Sequence, residues 1–131
     1  MSDKQFVRKP KENKPVVAIC YDFDKTLTPN DMQAQGFIQS VGMDVAEFWK
    51  EANALSDKND MDQNLAYMFC MKEKAYGQLL LNKKTLADYG AKITLFPSVE
   101  DWFERIREYG SERGAIVEHY IISSGLAEMI E

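Results

Sequence analysis

Histidine and cysteine are scarce in this sequence, and their scarcity argues against two kinds of site. The 131-residue chain has one histidine and two cysteines. Cys20 and Cys70 lie far apart and fit neither a disulfide framework nor the ligand spacing of a zinc site. Two reduced thiols in a cytoplasmic protein are the simpler interpretation. His119 lies in the middle of a predicted strand, away from its carboxyl end, so we expect a structural role for it.

The sequence also lacks long apolar runs and an excess of positive charge. No apolar stretch is long enough to cross a bilayer, and the apolar run after the basic N-terminus is too short for the core of a signal peptide. With 16 basic and 21 acidic residues, the formal net charge is -5. Because nucleic acids and anionic membranes attract basic surfaces, we expect neither as a partner. The sequence therefore predicts a cytoplasmic protein.

Strand and helix patterns follow one another in the order expected of an α/β fold. Residues 1–14 are polar and predict a flexible arm. The apolar run at 15–21 does not alternate, which is typical of a strand buried on both faces of a parallel sheet. Residues 30–94 show only helical periodicity, and we call them the helical block. Residues 115–122 predict a second strand.

Capping and turn residues divide the helical regions. Asp44, with Glu47 three residues later, has the pattern of a capping box. The polar run 56–60 predicts a loop. Leu65, Met68 and Phe69 recur at helical spacing in the helix after that loop. The predicted helices are 31–41, 44–55, 62–80, 86–92 and 98–109, the last ended by Gly110.

Two aspartates directly after the first strand are the strongest candidates for chemistry. Asp22 and Asp24 follow the carboxyl end of the strand, where ligands bind in open α/β sheets. A carboxylate there can attack phosphorus if a divalent cation offsets the phosphate charge, and a second carboxylate can act as general acid and base. Mg²⁺ suits such a small oxygen cluster. The Thr26 hydroxyl and the Phe23 amide can bind phosphate oxygens.

The segment VVAICYDFDKTLT resembles motif one of the haloacid-dehalogenase (HAD) superfamily, in which an apolar strand precedes Asp-x-Asp-x-Thr. The second aspartate marks the phosphatases of that family. The resemblance implies that Asp22 forms an aspartyl-phosphate and that Asp24 is the general acid and base. It also implies that Mg²⁺ is held by the Asp22 carboxylate and the Asp24 main-chain carbonyl.

The segment HYIISSGL resembles motif two, an apolar strand ending in a phosphate-binding Ser or Thr. Ser123 matches that residue, and Ser124 and Gly125 occupy the next phosphate-binding positions. A helix starting at Gly125 would add its N-terminal amides to anion binding.

The helical block lies where phosphoserine phosphatase-like members insert a helical cap. The resemblance therefore implies a HAD-like, Rossmann-like parallel-sheet core formed by residues 15–29 and 95–131, with residues 30–94 as the cap. It further implies a phosphatase that hydrolyses a small phosphorylated metabolite.

The sequence departs from the family after motif two. HAD phosphatases also use a lysine from a later loop and acidic residues after a further strand, and neither follows Gly125 here. Glu128 and Glu131 lie in a predicted helix and are poor substitutes. We therefore expect an incomplete core, a fragment that is inactive by itself, and an unpaired strand edge that favours self-association.

Other interpretations of the aspartates stay open. The chain can be a non-catalytic binding or interaction module on a HAD-like scaffold, or Asp22 and Asp24 can be ordinary turn residues. A third alternative is a nucleotide-sugar transferase, which also uses an Asp-x-Asp motif. Such an enzyme requires neither Thr26 nor a serine after a later strand. A calcium-binding EF-hand is excluded, because Leu27 and Gln33 stand where its glycine and glutamate should be.

Overall fold

A computed structural model describes residues 13–131 as an α/β fold in which helices predominate. Residues 1–12, most of the predicted flexible arm, lie outside the described residues. In chain order, the strands are β1 (Val16–Tyr21) and β2 (Ile116–Ile121), and the helices are a 3-10 turn (Met32–Ala34), α1 (Phe37–Ser40), α2 (Val45–Asn59), α3 (Gln63–Ala75), α4 (Lys83–Gly90), α5 (Val99–Glu112) and α6 (Ala127–Ile130). In this part of the chain, no helix is both long and apolar enough to cross a membrane.

The sheet consists of β1 and β2 paired in parallel. The register runs from Val16 opposite Ile116 to Tyr21 opposite Ile121. Both strands were predicted from their apolar composition, and both are confirmed. Because the strands are parallel and in register, the segments that follow Tyr21 and Ile121 leave the sheet at the same edge.

The prediction that β1 is buried on both faces is wrong for the residues that the structure describes. Val17 is 48% exposed, and Cys20 is also exposed. The physical reason is the size of the sheet, which has two strands between residues 13 and 131. Each strand is therefore an edge strand there, and its apolar side chains lack the neighbours that a wider sheet provides.

His119 connects the two strands to α5. The Trp102 indole N–H donates to the Tyr21 hydroxyl at 2.7 Å, and that hydroxyl lies 2.9 Å from His119 Nδ1. His119 Nε2 lies 3.1 Å from the Phe103 carbonyl oxygen. Since a carbonyl only accepts, Nε2 carries a proton, and in the neutral ring Nδ1 accepts from Tyr21. His119 thus has the predicted structural role.

The helical block contains helices and turns without a strand, as predicted. The Asp44 side chain accepts hydrogen bonds from the Ala46 and Glu47 amides at 3.0 and 3.4 Å and so caps α2. The predicted loop at 56–60 is wrong, because α2 continues through Asn59. Asp60 ends the helix by adopting a left-handed conformation with φ 49°.

Four other helix boundaries differ from the predictions. The predicted helix 31–41 is divided into the 3-10 turn and α1, because Gly36 between them has φ 140°, which a helix does not allow. Helix α3 ends at Ala75 instead of continuing to residue 80, and α4 begins at Lys83. Helix α5 continues past Gly110 to Glu112, and the chain turns at Gly114, which has φ 74°.

The buried apolar side chains form two clusters. The first lies within the block and includes the edge-to-face rings of Phe37 and Phe48. The second lies under the segment after β1, where Phe23 and Leu27 pack with Met32 and Met129. All five methionine and phenylalanine side chains named here are at most 5% exposed. Phe23 and Leu27 therefore hold the segment after β1 in place through their contacts with Met32 and Met129.

Candidate active site

A partly open cavity of about 280 Å³ lies where the chain leaves β1 and β2. Its lining comes from the segment after β1, the segment after β2, and helices α2 and α3 of the helical block. The lining residues are Asp22, Asp24, Asp31, Gln33, Trp49, Asn53, Gln63, Asn64, Tyr67, Ser123, Ser124 and Gly125. We call this cavity the pocket.

Asp22 and Asp24 have different environments within the pocket. Asp22 is exposed, and one of its carboxylate oxygens accepts a hydrogen bond from the Phe23 amide at 2.8 Å. Asp24 is partly buried, and its Oδ1 accepts from the Met32 amide at 2.8 Å. One carboxylate therefore faces solvent, while the other is fixed against the backbone of the helical block.

The pKa of Asp24 is raised above the ordinary value of 3.8, with burial as the largest cause. The Met32 amide lowers the pKa, since it hydrogen-bonds the charged form, and Lys25 also lowers it. The neighbouring carboxylates of Asp31 and Asp22 raise it. Asp24 thus holds a proton more readily than an ordinary aspartate, as a group that protonates a leaving oxygen must.

The segment between Asp24 and Asp31 is a tight turn that depends on a buried threonine. The Thr28 hydroxyl donates to the Asn30 carbonyl at 2.8 Å, and Thr28 is fully buried. Lys25 has φ 60°, and its ammonium group pairs with Asp31 at 3.1 Å. This turn brings the chain back, so that the Met32 amide reaches Asp24.

The segment after β2 contributes Ser123, Ser124 and Gly125. The Ser123 hydroxyl oxygen accepts from the Gly125 amide at 3.0 Å, which leaves its own O–H free to donate. A Cβ atom at Gly125 would overlap the Met32 side chain, which is fully buried. A glycine here therefore allows the segment to approach the 3-10 turn.

The prediction that a helix starts at Gly125 is wrong. Helix α6 begins at Ala127 and has 4 residues. The Leu126 amide donates to Met32 Sδ at 3.3 Å, and the Gly125 amide is engaged by Ser123. These two amides satisfy local acceptors and do not open a helix.

The structure brings together five of the seven site residues that the sequence predicted, namely Asp22, Asp24, Ser123, Ser124 and Gly125. The other two are not among the lining residues. The Phe23 side chain is buried in the apolar cluster below the segment, and Thr26 is exposed. The Thr26 amide donates to the Phe23 carbonyl at 3.2 Å, so both residues help to form the turn.

Sequence reasoning did not identify the part of the pocket that comes from the helical block. Trp49 and Asn53 are four residues apart on α2, and Asn64 and Tyr67 are three apart on α3, so each pair shares a helix face. The Tyr67 hydroxyl donates to the Ser124 carbonyl at 2.9 Å. The sequence signal for this part of the pocket was an aromatic residue and an amide residue at helical spacing. Such pairs are also common on solvated helix surfaces, so the pattern alone does not indicate a pocket.

The donor set of the pocket fits a hard divalent cation. Carboxylates, hydroxyls and amides line it, and no cysteine or histidine does. Between residues 13 and 131, no group of three His, Cys, Asp or Glu side chains is arranged to hold a metal ion. Mg²⁺ is commonly bound by one or two carboxylates together with substrate phosphate and water, and Asp22 and Asp24 can supply such carboxylates.

Comparison with known proteins yields one distant relative. The chain is 26% identical over 132 residues to an uncharacterized protein of Borreliella burgdorferi, and the match covers 91% of this chain and 45% of the relative. The chain therefore spans less than half the length of that protein. No protein-family model matches the chain, and no solved structure matches it.

Proposed function

We propose that the pocket is the active site of a Mg²⁺-dependent phosphomonoester hydrolase of the HAD type. One observation carries the proposal: two strand ends far apart in sequence bring Asp22, Asp24 and Ser123 into one cavity. The parallel pairing of β1 with β2 supports a HAD-like core, and the position of α2 and α3 beside the pocket supports the helical block as its cap. A small phosphorylated metabolite in the cytoplasm is the proposed substrate.

The proposed reaction has two steps. In the first, an Asp22 carboxylate oxygen attacks phosphorus, the bond from phosphorus to the alcohol oxygen breaks, and Asp24 gives its proton to that oxygen. In the second, Asp24 takes a proton from water as the water oxygen attacks phosphorus. The bond to Asp22 then breaks and inorganic phosphate leaves.

The remaining groups of the pocket position and neutralise the phosphate. The Ser123 hydroxyl has a free proton to donate to a phosphate oxygen. Mg²⁺, held by the Asp22 carboxylate and the Asp24 main-chain carbonyl, would supply positive charge that offsets the charge of the phosphate. The hydrogen bond from the Met32 amide orients the Asp24 carboxyl group for proton transfer.

The test is the Mg²⁺-dependent release of inorganic phosphate from a panel of phosphomonoesters. The assay uses the 131-residue chain and, in parallel, the protein expressed from its whole reading frame. We expect turnover by the protein from the whole reading frame and its loss with EDTA. Since no lysine or arginine lines the pocket in residues 13–131, we expect no turnover by the chain alone. Absence of turnover in both forms would contradict the proposal.

A second candidate is a non-catalytic binding module on the same scaffold. The lack of a lysine or arginine in the described pocket lining favours it, because phosphoryl transfer needs positive charge near the transferred group. Binding of inorganic phosphate with Mg²⁺ by both forms of the protein, without turnover of any ester, would support this candidate over the hydrolase.

A further inference from the structure

A groove of about 450 Å³ is lined by residues of α2, of α3 and of the turns that end these helices. Among residues 13–131, it shares no lining residue with the pocket. Four of its side chains are apolar or aromatic, those of Leu55, Met61, Phe69 and Tyr76. The groove is therefore a separate apolar surface of the helical block.

Helix α3 carries apolar side chains on two opposite faces. One face is buried in the core of the helical block, where Cys70 and Met71 are at most 3% exposed. On the other face Leu65 and Phe69 are 48% and 47% exposed, and Tyr76, directly after the helix, is 89% exposed. A helix that is apolar all round is normally covered on every side, and contiguous exposed apolar surface marks an interaction site. We therefore expect an occupant over the outer face of α3.

The exposed face of α3 has the spacing of a seam between two helices. Exposed residues recur at intervals of four, three and four positions, namely Leu65, Phe69, Lys72 and Tyr76. Such intervals keep side chains on one side of a helix and are those of residues that pack into a neighbouring helix. The expected occupant is therefore a helix.

Two charges of opposite sign interrupt the apolar surface of the groove. Lys72 and Glu73 both line it, and neither forms an ion pair with any residue between 13 and 131. A partner helix of uniform charge would face one of these two residues with a like charge, which is unfavourable at an interface. The occupant that suits the groove presents one charge of each sign.

A second copy of this chain presents such charges in the required order. When two copies of α3 pack antiparallel about a two-fold axis that passes between Lys72 and Glu73, each residue meets the residue equally far from the axis on the other copy. Lys72 then lies opposite Glu73 of the second copy. Phe69, three positions before Lys72, lies opposite Tyr76 of the second copy, three positions after Glu73. One register therefore pairs the charges and the aromatic rings together.

We propose that the groove is the interface of a symmetric dimer, in which α3 packs antiparallel against α3 of a second copy. By symmetry, the pair of Lys72 with Glu73 and the pair of Phe69 with Tyr76 each occur twice. The interface lies on the helical block and not on the open edge of the sheet, so association through it stops at two copies. The proposal does not depend on the reaction at the pocket.

Sedimentation equilibrium of the protein expressed from its whole reading frame tests the dimer. We expect the wild type to show a reversible monomer–dimer equilibrium, and Phe69→Ala to raise the dimer Kd at least about tenfold, as the loss of a central aromatic contact does. Phe96→Ala is the matched control, because Phe96 is 41% exposed and does not line the groove. It should leave the Kd unchanged.

Charge reversal tests the identity of the occupant and its register. Lys72→Glu and Glu73→Lys should each raise the dimer Kd about tenfold or more, because like charges then meet at two symmetric places. The double variant carries both charges in the opposite order, so its Kd should return to within about threefold of the wild type. An equal mixture of the two single variants should form heterodimers. Lys84→Glu on the exposed surface of α4 is the control for net charge and should leave the Kd unchanged.

Several outcomes would overturn the proposal. A monomer at every concentration would show that something other than a second copy covers the groove. A double variant that stays as weak as the single variants would show that Lys72 does not face Glu73 across the interface. Val17→Lys places a charge on the exposed face of β1. If that variant weakens association while Phe69→Ala does not, the copies pair through the sheet instead. Circular dichroism of each variant checks that its helices are intact.

Discussion

The Tyr67 hydroxyl donates a hydrogen bond of 2.9 Å to the Ser124 carbonyl oxygen and so joins α3 to the segment that follows β2. Tyr67 is 5% exposed and belongs to the core of the helical block. The Ser124 carbonyl follows directly after Ser123, the proposed phosphate ligand. The contact therefore holds the helical block against the phosphate end of the pocket.

Tyr67→Phe should destabilise the chain. The substitution removes the donor to the Ser124 carbonyl and leaves that carbonyl without this partner, so we expect a loss of about 1–2 kcal/mol in the free energy of unfolding. Urea denaturation measures it. Tyr76→Phe is the matched control, since Tyr76 is 89% exposed and its substitution should change stability by no more than about 0.5 kcal/mol. Equal effects at the two positions would show that the contact with Ser124 contributes nothing.

Asp24→Asn should stabilise the metal-free chain at neutral pH. Burial raises the pKa of Asp24, so the folded state holds this proton to a higher pH than the unfolded state does. The ionised carboxylate therefore lowers stability as the pH rises above the unfolded pKa. Asparagine keeps the side-chain oxygen that accepts from Met32 and carries no charge to bury.

The stabilisation by Asp24→Asn should disappear in acid. Urea midpoints with EDTA should be higher for the variant at pH 7 and should converge with the wild type below the ordinary carboxyl pKa of 3.8. Asp101→Asn is the control, because Asp101 lies exposed on α5 and pairs with Arg105 at 3.0 Å. A difference for Asp24→Asn that does not change with pH would contradict the burial of this carboxyl group.

Asp22→Asn should remove phosphatase activity from the protein expressed from its whole reading frame. An amide is a poor nucleophile toward phosphorus, so we expect kcat to fall by three orders of magnitude or more, on the order of the losses seen when a catalytic nucleophile is removed. Phosphate release measures it. Asp44→Asn is the control, because asparagine caps a helix as well as aspartate does. Near-normal turnover by Asp22→Asn would exclude the aspartyl-phosphate route.

Gly90→Ala should destabilise the fold although alanine favours helices. A Cβ atom at Gly90, the last residue of α4, would lie 2.5 Å from the Met129 carbonyl oxygen and 2.8 Å from its Cα. Because backbone atoms of α6 must then move, we expect a loss of about 1–3 kcal/mol. Lys84→Ala on the exposed side of α4 is the control. Where a Cβ atom meets open space, alanine stabilises a helix relative to glycine. A gain in stability for Gly90→Ala would therefore contradict this close approach.

The parts of the fold that the sequence predicted are those set by local chemistry. The apolar runs of β1 and β2 indicate strands by their own composition. Asp44 caps α2 through amides two and three residues away. Asp22 was placed by its position directly after the first strand, and Ser123 was assigned to the same site through the resemblance to motif two. None of these inferences depends on how the helices pack.

The buried face of α3 could not be chosen from the sequence. Leu65, Met68 and Phe69, the large apolar residues at helical spacing, are 48%, 38% and 47% exposed. The buried face instead carries Ala66, Tyr67, Cys70, Met71 and Ala75. Both faces have helical spacing, so the choice depends on how α3 packs against α2, which local sequence does not determine.

The part of the pocket that comes from the helical block was missed for a related reason. Asn53, Gln63 and Asn64 are exposed polar residues on helix surfaces, and in a sequence such residues indicate solvent. Only the packing of α2 and α3 beside the two strand ends turns them into the lining of a cavity. Their role is a property of the tertiary arrangement.

The pairing of β1 with β2 has a consequence for the order of folding. Tyr21 and His119 contact each other although they are 98 positions apart in the chain. Closing so long a loop costs entropy, and contacts of this kind generally form late. The contacts between α2 and α3 join neighbouring segments and can form early. We therefore expect the pocket to be the last region to assemble and the first to be lost under stress, so mild denaturant should abolish ligand binding while most of the helical circular dichroism remains.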